Sequence, residues 1–188
     1  MVKAVFLDRD GTINEDVGDL FEPRKLVFIP HAIEGLKLLC KNFRLFIVTN
    51  QSGIGRNAFS QKDFFRFDRF FSALLREEGI HIRRTYVCPH IKEEGCVCRK
   101  PSPYFLKRAA MDYGIELKKS FVIGDHPHDV EMAHRAGCNS GYLLTGHGKK
   151  HQKELGRRPD LVAENLYAAA VIITTGRFKR HEKTGCFR

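Results

Sequence analysis

The sequence predicts an α/β protein, a mainly parallel sheet with helices on both faces. Three observations carry that expectation. Short apolar runs alternate along the chain with segments whose apolar residues recur every three or four positions, the pattern of strand, crossover helix and strand. Several of the apolar runs stop in polar, reactive side chains, at Asp8, Thr49-Asn50, Cys88 and Gly124-Asp125. Ligand sites of open α/β sheets lie beyond the carboxyl ends of their strands. With 188 residues, 43% of them hydrophobic, the chain is long enough for one domain with its own core.

In chain order, "AVFLD" (4–8) reads as a strand and "AIEGLKLLCKN" (32–42) as a helix. "RLFIVTN" (44–50) is a strand. "SQKDFFRFDRFFSALLREEG" (60–79) is a helix, with Ser60 placed to cap its start and Gly79 to stop it. "RRTYVC" (83–88) is a strand, "SPYFLKRAAMDYG" (102–114) a helix and "SFVIGD" (120–125) a strand. "HDVEMAHRAG" (128–137) is a helix, "SGYLLTG" (140–146) a strand, and "DLVAENLYAAAVIITT" (160–175) a last helix. The longest insertions are Asn14 to Pro30 and a Cys-rich loop near residue 90. Crossovers should be right-handed. One domain over 1–175 and a basic tail over 176–188 are expected.

The net charge of +10 could point to nucleic acid. Its placement argues otherwise. Lys149 to Arg188 holds ten Lys/Arg and four Asp/Glu, so +6 of the total sits at this end. A solvated tail is the plainer reading, and no nucleic-acid partner is expected. No apolar run approaches the roughly 20 residues that span a bilayer. No signal-peptide pattern precedes the first strand. A cytoplasmic monomer is the expectation, with no membrane partner. Cys40, on an apolar helical pattern, is a small core residue.

The chemistry begins at "FLDRDGT". Alternation along an extended backbone points Asp8 and Asp10 the same way. Two close carboxylates repel unless a cation or a shared proton lies between them, and their oxygens suit Mg²⁺. An aspartate can also act as a nucleophile through an aspartyl-phosphate. Gly11 permits a sharp turn there.

Four segments, "FLDRDGT", "VTNQSG", "CRKP" and "VIGDHPHD", occur in that order and together resemble the successive motifs of the haloacid dehalogenase superfamily of phosphatases. The resemblance runs from residue 4 to about residue 145. It implies a Rossmann-like fold and a Mg²⁺-dependent phosphomonoesterase. It implies Asp8 as nucleophile, Asp10 as general acid and base, Thr49 as phosphoryl ligand and Lys100 as neutralising cation. Mg²⁺ would be held by Asp8, the Asp10 carbonyl and Asp125. Taken alone, Thr49 is a strand-end hydroxyl and Lys100 a surface lysine; their ordered context raises them.

"CPHIKEEGCVC" supplies Cys88, His90, Cys96 and Cys98, a full ligand set for tetrahedral Zn²⁺. The C-x-H and C-x-C pairs are tighter than usual zinc-finger spacings, and reduced cysteines beside a surface histidine are the plainer alternative. Four protein ligands leave no open position, so the role would be structural. The ion would pin Arg99 and Lys100, which follow directly. This loop is similar to that of heptose bisphosphate phosphatases and histidinol-phosphate phosphatases, compact members without a large cap.

Within that branch, "TNQSGIGR" resembles the heptose 1,7-bisphosphate 7-phosphatases. The substrate-binding candidates are Asn50, Gln51, Ser52, Arg56 and Arg99. The cations, with Lys149 or Lys150, would meet a second phosphate. Asp16 and Asp19 offer carboxylates for sugar hydroxyls or for the amine of histidinol phosphate. His126 stands where heptose enzymes often carry Lys. It and His128 are supporting groups or exposed loop histidines, the latter preferred for His128. Asp129 supports the metal site or caps the following helix. The expected partner is a small phosphorylated substrate, a sugar bisphosphate. The alternatives are histidinol phosphate, another small phosphomonoester, or a zinc-stabilised binding protein without activity.

Overall fold

The computed structural model describes residues 2–178. Among the described residues, six strands form one sheet: β1 Ala4–Leu7, β2 Arg44–Asn50, β3 Ile82–Cys88, β4 Phe121–Gly124, β5 Asn139–Leu143 and β6 Leu161–Ala163. Seven α-helices of the described residues accompany them: α1 Ala32–Cys40, α2 Ser52–Gly55, α3 Gln61–Glu77, α4 Tyr104–Tyr113, α5 Pro127–Ala136, α6 Gly148–His151 and α7 Leu166–Thr174. Every strand pair is parallel, and the order is β3-β2-β1-β4-β5-β6. The order reverses at β1 and β4, so the crevice of the sheet opens at their carboxyl ends.

Alternation within β1 divides the core. Val5 and Leu7 join a cluster with Leu36 of α1, Phe67 and Phe71 of α3, and Leu166 of α7. Ala4 and Phe6 join Leu106 of α4 and Met132 of α5 on the other face. Both faces are therefore covered, and all four β1 side chains are fully buried. This is the composition expected of a parallel strand.

Local chemistry explains the element ends near the site. Ser60 Oγ accepts from Asp63 N while Asp63 Oδ2 accepts from Ser60 N, a reciprocal cap at the start of α3. Gly79 follows α3 at φ +76°. The helix buries Phe64, Phe67, Phe71 and Leu75 at spacings of three and four residues. The Asn14–Pro30 insertion is closed on itself by Glu15 N to Val27 O (2.9 Å) and joined to the end of the preceding turn by Ile29 N to Ile13 O (3.0 Å). It buries Ile13, Leu20 and Ile29.

One sequence expectation needs correction. The run from Asp160 to Thr175 is not a single helix. Leu161 and Ala163 point inward and Val162 outward, making β6 at the sheet edge. Asn165 is extended at φ −157° and its side chain accepts from Ala168 N, so α7 starts only after it. Helix α7 packs on α1 at Gly35, where a Cβ would come within 2.9 Å of the Leu166 backbone. Beyond α7, the Phe178 ring meets Phe121 edge-on at 4.9 Å. The remainder of the expected basic tail, with Cys186, lies outside the described residues. Cys40 is half-buried against the core. Among the described residues no helix is long and apolar enough to cross a membrane.

Candidate active site

Beyond the carboxyl ends of β1, β2 and β4 lies a cavity of about 340 Å³. It is lined by Asp8, Asp10, Asp16, Asp19, Thr49, Asn50, Gln51, Ser52, Arg56, Arg99, Lys100 and Asp125. The structure thus brings every residue singled out for catalysis and substrate binding to one place. Lys149 and Lys150, also weighed for the second phosphate, are not among the lining residues.

The turn after β1 makes the floor. Asp8 N continues the ladder to Ile123 O at 2.9 Å. The Arg9 carbonyl then accepts from the N–H groups of Thr12, Ile13 and Asn14, and Gly11 adopts φ +79°. A Cβ on Gly11 would lie 2.2 Å from Asp125 Oδ2, so glycine is required by conformation and by space. On β4, space alone calls for Gly124, where a Cβ would strike Asp129 Oδ2 at 2.2 Å.

Lys100 is the central cation, only 4% exposed. Its Nζ lies 2.7 Å from Asp8 Oδ2 and 2.8 Å from Asp129 Oδ1. Burial works against its charge, but Asp129 and Asp8 outweigh it and raise its pKa above the ordinary lysine value. Asn50 holds this residue through the backbone, with Lys100 N donating to Asn50 Oδ1 at 3.1 Å. That contact gives Asn50 a supporting part beside its place in the lining.

Three carboxylates, of Asp8, Asp125 and Asp129, converge with ligand atoms within 4.8 Å of one another. Burial pushes Asp8 well above the usual carboxylate range; Lys100 opposes the push, and Asp129 and Asp125 add to it. Burial likewise takes Asp125 up to about 6, against a hydrogen bond from His147 N. Three acids, two of them buried and Asp8 half-buried, facing one lysine are an unbalanced set, and a divalent cation is the complement such oxygens take. Asp129 lies in this cluster, and its Oδ2 accepts from His126 N, capping the start of α5.

Asp10 is held differently. Its Oδ1 accepts from Asn14 Nδ2 (2.8 Å) and its Oδ2 from Gln51 Nε2 (2.8 Å). The Arg9 guanidinium reaches both oxygens. Gln51 Nε2 also donates to Thr49 Oγ1 at 2.8 Å. That contact occupies a Thr49 acceptor. Neither Arg9 nor this use of Gln51 was visible from spacing, because each depends on the fold of the turn.

At the rim, Arg99 Nη1 donates to Ser52 Oγ (2.6 Å) and to His90 O (3.0 Å). Arg56 pairs with Asp19 at 2.9 Å, and His147 Nε2 lies 3.2 Å from Asp16. The insertion after β1 is therefore strapped to both sides of the mouth. His126 and His128 both border the cavity; His126 is half-buried at the start of α5, while His128 is exposed, as preferred for it, but on the first turn of that helix rather than in a loop. Burial, with the neighbouring His128, lowers His126 to about 4; burial also lowers His128.

Beside this cavity, Cys88, His90, Cys96 and Cys98 converge. Sulfur separations are 3.5 and 3.6 Å, and His90 Nδ1 lies 3.6 and 3.4 Å from Cys88 and Cys98 Sγ. A tetrahedral zinc with bonds near 2.3 Å to sulfur and 2.0 Å to nitrogen needs edges of about 3.5–3.8 Å. The four donors fit that ion.

Comparison with known proteins places the chain. A HAD-hydrolase-like family model matches residues 97–169. A probable D-glycero-D-manno-heptose-1,7-bisphosphate 7-phosphatase of Thermoplasma volcanium is 41% identical over 136 residues, 71% of this chain and 93% of that protein. The D-glycero-alpha-D-manno-heptose-1,7-bisphosphate 7-phosphatase of Photorhabdus laumondii is 32% identical over 181 residues, 92% of this chain and 97% of its own. Among solved structures, a heptose 1,7-bisphosphate phosphatase from B. bronchiseptica, complexed with magnesium and phosphate, superposes with a TM-score of 0.86. It is 28% identical, with 93% of this chain and 99% of that one covered. A six-stranded parallel sheet, an acidic cluster around a buried lysine and these likenesses agree: the chain belongs to the haloacid dehalogenase superfamily of phosphatases, in the subfamily of heptose bisphosphate and histidinol-phosphate phosphatases.

Proposed function

We propose that this phosphatase removes the C7 phosphate of D-glycero-D-manno-heptose 1,7-bisphosphate, with Asp8 as nucleophile and Mg²⁺ as cofactor. The observation that carries the chemistry is Lys100 Nζ, set between Asp8 Oδ2 (2.7 Å) and Asp129 Oδ1 (2.8 Å). A carboxylate can attack a phosphate dianion only where charge is cancelled, and phosphoryl transfer otherwise rests on position. Asp8 and Asp125, with the Asp10 carbonyl and the nearby Asp129, would hold Mg²⁺, which adds the positive charge the two anions need.

Asp8 attacks phosphorus and the bond to the sugar oxygen breaks. Asp10 gives that oxygen its proton, then takes one from the water that hydrolyses the aspartyl-phosphate. Thr49 Oγ, with its acceptor side filled by Gln51, donates to a phosphoryl oxygen. The four-donor cluster next to β3 would hold structural Zn²⁺ and keep Arg99 against Ser52.

Two features support a sugar bisphosphate. Arg56 and Arg99 stand at the rim, where guanidinium groups suit a second phosphate. Asp16 and Asp19 are already paired with His147 and Arg56. As paired, neither carboxylate stands bare for the amine of histidinol phosphate, and Arg56 would exchange Asp19 for the second phosphate. The proposed setting is the cytoplasm, which the thiol-rich metal cluster supports. The proposed unit is a monomer.

Phosphate release with Mg²⁺ from both anomers of heptose 1,7-bisphosphate, fructose 1,6-bisphosphate and histidinol phosphate tests the proposal. Preference for a heptose bisphosphate with loss of only the C7 phosphate supports it. Preference for histidinol phosphate overturns the substrate assignment and keeps the chemistry. Asp8→Asn should lower turnover by at least about 10⁴-fold; full turnover in that variant would refute the nucleophile.

A further inference from the structure

We infer that Arg9 is a positioning residue for the proton-transfer group Asp10, an inference that rests on the role proposed for Asp10 above. Arg9 is fully buried and stands between the two acids of the first motif. In an extended strand its side chain would point away from both. The turn after β1 prevents that, because three successive N–H groups converge on the Arg9 carbonyl and wind the chain. The side chains of residues 9 and 10 then meet.

The contact spans the whole carboxylate. Arg9 Nε lies 3.1 Å from Asp10 Oδ1 and 3.2 Å from Oδ2, and Nη2 lies 2.9 Å from Oδ2. The remaining donors touch one oxygen each, Asn14 on Oδ1 and Gln51 on Oδ2. Both oxygens therefore face donors. For either to reach the departing sugar oxygen, an amide contact must be given up. Arg9 keeps its hold on the carboxylate through that exchange because it grips both oxygens.

The guanidinium itself cannot wander. Its carbon sits 5.1 Å from the Phe67 ring centroid and 5.7 Å from that of Phe64, both on α3. Nη2 also reaches Leu20 O at 3.4 Å. Asp68, one residue beyond Phe67, is a second acid that feels its charge. Packing alone does not account for an arginine here. Its Nη1 is buried with no hydrogen-bond partner, and a methionine or leucine would fill the space without an unpaired charged donor. The cation is explained by the carboxylate it holds.

In the step concerned, Asp8 bonds to phosphorus, the phosphorus–sugar oxygen bond breaks, and the proton of Asp10 passes to the departing oxygen. A sugar alkoxide needs that proton; p-nitrophenolate leaves without it. The test compares kcat/KM, which reports the steps up to departure of the leaving group and not the shared hydrolysis of the aspartyl-phosphate, for Arg9→Lys, Arg9→Met and Phe67→Leu on two substrates: the fastest sugar phosphate of the panel and p-nitrophenyl phosphate. Asp10→Asn is the reference. Arg9→Lys should lose at least about tenfold in kcat/KM on the sugar phosphate and several times less on the aryl phosphate. Phe67→Leu, which frees the guanidinium without touching Asp10, should shift the ratio in the same direction by less. If Arg9→Met does not fold, the other two variants carry the comparison. Equal losses on both substrates, as from fewer folded molecules, would overturn the inference. A ratio shifted by Asp10→Asn but not by the Arg9 or Phe67 variants refutes Arg9 alone. A ratio unmoved by Asp10→Asn refutes the role of Asp10 and the inference with it.

Discussion

Replacing Lys100 with methionine should destabilise the protein strongly at neutral pH and much less in acid. Methionine keeps the apolar stem, so the change removes little more than the charge. That charge lies 2.7 and 2.8 Å from two carboxylates, with Asp125 in the same cluster. Removing one partner of a buried pair costs about 3–5 kcal/mol, because the other charges stay buried and uncompensated. The sign of the pH effect follows from the shifts. Lys100 is raised above its unfolded value, so its contribution is complete at any pH below the ordinary lysine range. Asp8 and Asp125 are raised despite it, Asp125 to about 6 against an unfolded value of 3.8. A carboxyl raised on folding stabilises at low pH and loses that contribution as pH climbs through its folded value. Lys100 lowers both acids, so without it they rise further and take up protons sooner. The gap between wild type and variant should therefore narrow from pH 7.5 to pH 5.5. Urea unfolding without added Mg²⁺ measures it. At about 2–4 °C per kcal/mol for a chain of this size, the melting temperature at pH 7.5 should fall by roughly 6–20 °C. A loss under about 1 kcal/mol at pH 7.5, or an equal loss at pH 5.5, would refute the reasoning.

Two further outcomes are expected. One zinc per chain should co-purify, and a chelator that removes it, or Cys96→Ser, should lower the melting temperature, since metal-binding energy is folding energy; an unchanged melting curve after verified zinc loss counts against this. Gly11→Ala places a side chain at φ +79° and 2.2 Å from Asp125 Oδ2. It should cost at least about 1–2 kcal/mol and most of the activity, whereas a variant with wild-type kcat and stability would show that the turn can relax.

Much of the architecture was legible in the sequence because it is written locally. The strand β1 is an unbroken apolar run, α3 shows its three- and four-residue period and its Ser60 cap, and the ordered strand ends foretell a shared crevice. The Cys/His set needed only spacing. The last helix was misjudged because Leu161 to Ala163 is too short to show a period, and its strand character comes from pairing with β5. The strand order, which sets β1 beside β4, is what lets Asp129 reach a lysine 29 positions away. The sequence by itself determined which chemical groups stand at which strand ends, since residue type and alternation are properties of neighbours along the chain. Only the tertiary structure decided how those groups are paired. Asp16 with His147, Asp19 with Arg56, Lys100 with Asp8 and Asp129, and Arg9 buried on the rings of α3 are contacts made through space. Each depends on where a turn or helix comes to rest, which no period along the sequence records.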